Sequence, residues 1–305
     1  MSKHKPGYRA CSTKRFRRTK ADIDEIKNVI RAVLKADHPM TVRQVFYQLV
    51  VRSAIEKTEE DYQQTVIRLL TEMRLEGKIP FDWLVDESRR RRITQTYNNI
   101  ADAARDTAKF YRRSALRACP DYLEIWVEKE ALSGVLWDIT SEYDVPLLVS
   151  KGMPSLTQLY GTACQIARAG RADKKSYIYQ FGDHDPSGVL IPKTIQRRLI
   201  ELCEKFDCPG PLLERVALTE EQIEQFNLPT RPTKREGNRH ANKFEGDSVE
   251  LDALPASTLR DMAREVIERH ITIGVLTALR AAENSEREQL KMWADQVEAD
   301  DAYGG

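Results

Sequence analysis

Glu128, Asp183 and Asp185 are the residues of this 305-residue chain whose types and spacing best suit chemistry. Glu128 directly follows an apolar run, YLEIWV at 122–127. Asp183 and Asp185 lie in GDHDPSG, directly after SYIYQF at 176–181. If both runs are strands of one parallel sheet, the carboxylates emerge at strand C-termini, the edge that lines the crevice of open α/β sheets. Converging carboxylates raise one another's pKa values unless a cation stands between them. Hard oxygen ligands with room for water select Mg2+, so Mg2+ is the expected cofactor. Gly182 permits a turn, Pro186 suits the first position of a helix, and Gly188 allows close approach. The plainer alternative has Asp183 and Asp185 capping a turn and a helix, with Glu128 facing solvent. A DxD alone is weak; a Glu at a second strand end makes the pattern more specific. His184 is expected to point away, because neutral imidazole is a poor Mg2+ ligand.

A second group lies in TVRQVFY at 41–47. At 100° per residue, Val42, Val45, Phe46, Leu49 and Val50 form one apolar helix face, and Tyr47 falls outside it. Arg43 lies one turn earlier on the Tyr47 side. Tyr47 thus stands off the apolar face beside a cation that can hold phosphate. An exposed Tyr–Arg packing pair is the alternative.

The elements that must position these residues fall into two halves. Residues 1–20 carry eight basic residues and no acidic one, and read as a flexible arm. Ile23, Ile26, Ile30 and Val33/Leu34 predict a first helix over 22–36. Thr41 with Gln44 is a capping-box signal for a second helix, to about Arg52. Tyr62, Val66, Leu69/Leu70 and Met73 predict a third, stopped by Gly77. Ile79–Val85 reads as a strand pair or wing, so residues 21–118 read as a winged helix-turn-helix with a basic linker helix from Tyr97 onward, with a small helical domain of another kind as the alternative. Arg89–Arg92, Arg105, Lys109, Arg112, Arg113 and Arg117, interleaved with Tyr97, Phe110 and Tyr111, suit nucleic acid.

From residue 119 strands and helices alternate, which implies a parallel sheet flanked by helices. The strands are predicted at 122–127, 146–149, 176–181 and 212–218, with a Lys151-Gly152 turn after the second. Residues 229–250 read as a long loop, followed by two helices, the second carrying Leu290, Trp293 and Val297.

Composition narrows the class. With 41% hydrophobic residues the chain can build real cores, which excludes a largely disordered protein. No stretch approaches the about eighteen uninterrupted apolar residues of a membrane span, and the first twenty residues lack the apolar segment of a secretory signal. Five cysteines give no disulfide framework, and Cys203 and Cys208 read as packing residues. A reducing cytoplasm is the expected location. The net charge of +1 conceals an asymmetry: residues 1–118 hold 26 Lys and Arg against 15 Asp and Glu, and residues 119–305 hold 22 against 32. A basic half suits a polyanion.

WVEKEALSGVL, LLVSKGMPS and YIYQFGDHDPSG together resemble a Toprim domain, with Glu128, Asp183 and Asp185 in the places of its acidic residues. HDPSG and the Lys151-Gly152 turn are similar to the topoisomerase VI A subunit and its meiotic double-strand-break relatives. That family carries a winged helix before its Toprim domain, with a tyrosine in a T-x-R-x-x-Y-Y motif. Thr41, Arg43 and Tyr47 match it, while Phe46 replaces the first tyrosine. The likeness covers about residues 21–228, and ELDALP at 250–255 suggests relation to Toprim-containing, phage-like proteins.

The resemblance implies an α/β chain: a winged-helix domain at 21–118, a Toprim domain at 119–228 and its extension at 229–305. It implies an Mg2+-dependent DNA-cleaving transesterase with Tyr47 as nucleophile, Arg43 assisting, and Glu128, Asp183 and Asp185 on the metal. It further implies double-stranded DNA as substrate, nucleoid association, and a homodimer in which one subunit's tyrosine meets the other's metal. With no Gly-rich nucleotide loop in the chain, strand passage would need a separate ATPase subunit of the GHKL type. A Toprim nuclease using water and a non-catalytic DNA-binding regulator are the rivals.

Overall fold

The computed structural model describes residues 18–85, 94–232 and 247–303. Most of the basic arm, Arg89–Arg92 and the middle of the 229–250 loop lie outside the described residues.

The N-terminal part is built by its caps. Helix α1 (Lys20–Ala36) starts where Thr19 and Asp22 exchange side-chain and backbone hydrogen bonds. Helix α2 (Val42–Val51) starts with the predicted Thr41–Gln44 capping box, at 2.9 and 3.1 Å. The third helix has two parts, a π-helical stretch Asp61–Ile67 and α3 (Arg68–Leu75). Gly77, at φ +67°, follows its end.

The expected wing differs. Within Ile79–Val85, Phe81–Trp83 form a 3-10 turn, and β2 (Leu84–Val85) pairs in parallel with β1 (Met40–Thr41). Among the described residues this segment has no antiparallel partner; Ile79 is buried and draws it along the core to the strand preceding α2. The linker helix also begins later than Tyr97. Asn99 caps α4 (Ile100–Phe110) by accepting the Asp102 N–H at 2.8 Å, and a short α5 (Ala115–Ala118) follows.

The second part is the predicted alternation. Strands β3 (Asp121–Val127), β4 (Leu147–Val149), β5 (Lys175–Phe181) and β6 (Leu212–Ala217) form one parallel sheet in the order β4-β3-β5-β6. Helices α6 (Ser133–Thr140), α7 (Leu156–Gly170), α8 (Pro186–Cys203) and α9 (Glu220–Gln225) lie between or after the strands. Successive strand residues face opposite sides. Leu123, Ile125 and Val127 join a core shared with α6 and α10 (Ala256–Glu268), while Trp126 joins Leu159, Ile166, Ile195 and Leu199 of α7 and α8. Lys151 and Gly152 both take positive φ after β4, giving the predicted turn. Cys203 is fully buried among the α7 and α8 side chains, a packing residue as read.

The core does not stop at residue 118. One apolar cluster runs from Ile26, Leu34, Val45 and Leu69 of the N-terminal helices through β3 to Leu259 and Ile267 of α10. Arg260 strengthens this seam by donating to Asp37 at 3.2 Å and to the Pro39 carbonyl.

The chain ends in α11 (Ile273–Tyr303), which lies against α4. Here the nucleic-acid reading of the basic linker meets a competitor. Arg112 pairs with Glu283 at 3.1 Å, Arg113 with Glu286 at 3.5 Å, and Arg105 with Asp295 at 2.9 Å and with Glu298. These cations are matched within the chain, because the acidic half of the sequence returns over the basic half. Among the described residues no helix is long and apolar enough to cross a membrane.

Candidate functional site

The sheet order makes β3 and β5 neighbours, so Glu128 and the GDHDPSG segment leave it side by side. The Glu128 N–H donates to the Phe181 carbonyl at 2.9 Å, continuing the ladder one residue past β3. Glu128 Oε2 in turn accepts the Asp183 N–H at 3.1 Å. A Cβ at Gly182 would stand 2.9 Å from Glu128 Oε2, so a larger residue there would press on this carboxylate.

Asp185 is the N-cap of α8; its Oδ1 accepts the Gly188 N–H at 2.6 Å, and Pro186 opens the helix. A Cβ at Gly188 would lie 2.1 Å from the Asp183 carbonyl oxygen, which only glycine avoids. Asp183 Oδ1 accepts the Leu251 N–H at 2.8 Å. The capping alternative therefore holds for one oxygen of Asp185, and Glu128 does not stand free in solvent. His184 is buried and exchanges backbone hydrogen bonds with Val249.

Each carboxylate thus gives one oxygen to a backbone N–H, and among the described residues its other oxygen takes no hydrogen bond. Burial raises the pKa of Glu128, and Asp183 and Asp185 push it further the same way. Burial also raises Asp183, against the pull of Lys129. The donor set fits a hard divalent cation that keeps much of its water and takes few carboxylates. It is not a closed cage: among the described residues no three His, Cys, Asp or Glu side chains are gathered to hold a metal as they stand. Two cationic side chains adjoin these carboxylates, and sequence reasoning missed both.

The first is Lys129, next to Glu128. Its ammonium reaches Asp183 Oδ1 at 3.2 Å, Glu250 Oε2 at 3.1 Å and Asp252 Oδ2 at 2.7 Å. Burial alone would lower its pKa, but Asp252, Asp183 and Glu250 together raise it, so it is firmly charged. The second is Arg215 on β6, which donates to the carbonyls of Gly188 and Asp183 at 2.5 Å and of Leu218 at 3.0 Å. Arg215 fastens the backbone of the DxD turn, and Glu128, Asp185 and Asp183 offset the cost of burying its charge. An arginine inside the apolar run LLERVAL and the alternating E-L-D at 250–252 were the available signals.

Glu250 joins this cluster to the second candidate group. It pairs with Arg231 at 3.0 Å and with Arg43 at 3.4 Å. Arg43 also pairs with Glu59 at 3.5 Å and lies over the Tyr62 ring, 4.6 Å from its centroid.

Tyr47 is not on an exposed face. It is 1% exposed, with Phe46 edge-on at 5.3 Å and the Lys57 ammonium 5.5 Å from its ring centroid. The wheel sets Tyr47 off the apolar face, but in the fold other elements cover that flank, and Tyr47 joins the same buried cluster as Val45 and Leu49. Lys57, anchored on the Pro229 and Thr230 carbonyls at 2.8 and 2.9 Å, brings the 229–231 segment beside it. Burial, with the Glu250 charge, pushes the Tyr47 phenol up to about 12, while Arg43 and Lys129 act in the opposite direction. Tyr47 and the carboxylate crevice of the same chain therefore share one electrostatic neighbourhood.

Comparison with protein-family models, curated proteins and solved structures finds no match for this chain.

Proposed function

We propose that the chain is an Mg2+-dependent DNA-cleaving transesterase of the topoisomerase VI A type. The observation that carries this reading is that Glu128, Asp183 and Asp185 leave the C-terminal ends of adjacent parallel strands side by side, with Arg43 paired to Glu250 beside the same crevice. Glu128, Asp183 and Asp185 would hold Mg2+, which when bound offsets the charge that develops on the phosphate and the leaving oxygen. Tyr47 Oη forms a bond to phosphorus as the bond to a deoxyribose oxygen breaks; the phenol loses its proton and the leaving oxygen gains one. Arg43 holds the phosphate. In the resting conformation Tyr47 is enclosed, so attack requires α2 to part from the segment around residues 229–231 and 250–254. The proposal includes duplex DNA as substrate, a homodimer that cuts both strands, and a separate GHKL-type ATPase subunit where strands are passed.

A second reading, hydrolysis by water at the same carboxylates, is favoured by the enclosure and high pKa of Tyr47. Supercoiled plasmid incubated with the protein and Mg2+ separates the two. Transesterification leaves protein on the DNA ends, so mobility changes on protease treatment. Tyr47→Phe then abolishes both breaks and adducts, and Asp183→Asn does the same by removing a ligand. Wild-type cutting by Tyr47→Phe, without adducts, overturns the transesterase and keeps the hydrolase; cutting by Asp183→Asn overturns the metal assignment.

A further inference from the structure

The crevice already contains a cation. Lys129 carries three ammonium donors and meets three carboxylates on two segments: Asp183 after β5, and Glu250 and Asp252 before α10. These partners differ in what else supports them. Glu250 also has Arg43 and Arg231. Asp252, only 2% exposed, has Lys129 and, at 3.4 Å, the Thr41 hydroxyl. Asp183 shares its Oδ1 between Lys129 and the Leu251 N–H. Asp183 is thus the one carboxylate common to the Lys129 cluster and to the group of Glu128 and Asp185.

We propose that Lys129 is the resident counter-ion of the crevice and competes with a divalent cation for Asp183, thereby setting the cation affinity of the site. The inference rests on the reading of Glu128, Asp183 and Asp185 as cation ligands. Without the ion, Lys129 keeps the buried carboxylates from facing one another unscreened. When the ion arrives, the ammonium gives up Asp183 and retains Glu250 and Asp252, so no charge is stranded. Two positive charges then stand close together, and their repulsion weakens cation binding. Lys129 is in this sense a positioning residue whose effect is read in binding.

The test uses the full chain without DNA, titrated with MgCl2 by calorimetry and followed by thermal melting. Lys129→Met should melt below wild type without Mg2+, bind Mg2+ about tenfold or more tightly, and gain the larger melting shift, since a nearby unit charge has been removed. Lys129→Arg keeps the charge and should bind within about threefold of wild type by the same reasoning. Mg2+ affinity of Lys129→Met equal to or weaker than wild type overturns the inference while leaving the metal site standing. Mg2+ binding by neither protein overturns both, whereas binding by Lys129→Met alone supports the competition outright. If Lys129→Met does not fold, the side-chain nitrogen resonance of Lys129 in the wild-type protein decides. It should move with the calorimetric midpoint, and a resonance unmoved by saturating Mg2+ overturns the proposal.

Discussion

Glu250 shows how a residue to which motif reading gives no role can organise a site. Burial alone would raise its pKa, but Lys129, Arg43 and Arg231 pull it down to about 2. A carboxylate depressed by folding adds stability that is present above its unfolded pKa, about 4.3, and is lost as pH falls through the folded value. After allowance for solvent screening, that contribution is about 2 kcal/mol. Glu250→Gln should therefore be less stable than wild type at pH 6, with the difference closing between about pH 4 and pH 2. Denaturant unfolding across that range measures it, and a pH-independent difference would remove the ion pairs from the explanation. The three carboxylates were legible because strand-end position is a matter of local pattern. Lys129, Asp252 and Arg215 were not, because their roles depend on which distant segments fold against them. Tyr47 marks the same limit: a helical wheel describes one helix, whereas burial is decided by everything packed around it.

At the level of elements, the crevice depends on how closely α8 starts behind β5. The Gly188 position leaves no room for a Cβ beside the Asp183 carbonyl, and Arg215 fastens the carbonyls of both residues. Gly188→Ala should force the helix start outward and cost about 1–3 kcal/mol, the range for overpacking a filled site. It should also reduce any Mg2+-dependent rise in melting temperature, because Asp183 and Asp185 move with that turn. An unchanged denaturation midpoint would take the close approach out of the account. The four parallel strands were readable from their apolar runs and from the helical stretches that alternate with them. Of IPFDWLV, Leu84–Val85 are strand, and their partner among the described residues, Met40–Thr41, is too short to register as a strand in the sequence.

For the whole molecule, the continuous cluster from Ile26 to Ile271 joins the N-terminal helices to the sheet and α10. A single cooperative calorimetric transition is expected for this body, since its parts share one core. Two well-separated transitions would mean that the seam Arg260 makes with Asp37 and Pro39 is weaker than its packing indicates. The last helix behaves differently along its length. Near its start, Leu276 and Leu279 pack on the main core, and buried Glu283 accepts the Arg113 N–H and pairs with Arg112 and Arg287. Farther out, the apolar contact shrinks to Ala294 against Ala101 and Ala104, with surface ion pairs around it. At about 1.5 Å per residue, the 31 residues of α11 form a long lever anchored at one end. Amide hydrogen exchange should therefore run as a gradient, slow at Leu276–Arg287 and progressively faster toward Val297. Raising the salt should steepen it by screening the outer pairs while leaving the apolar root untouched.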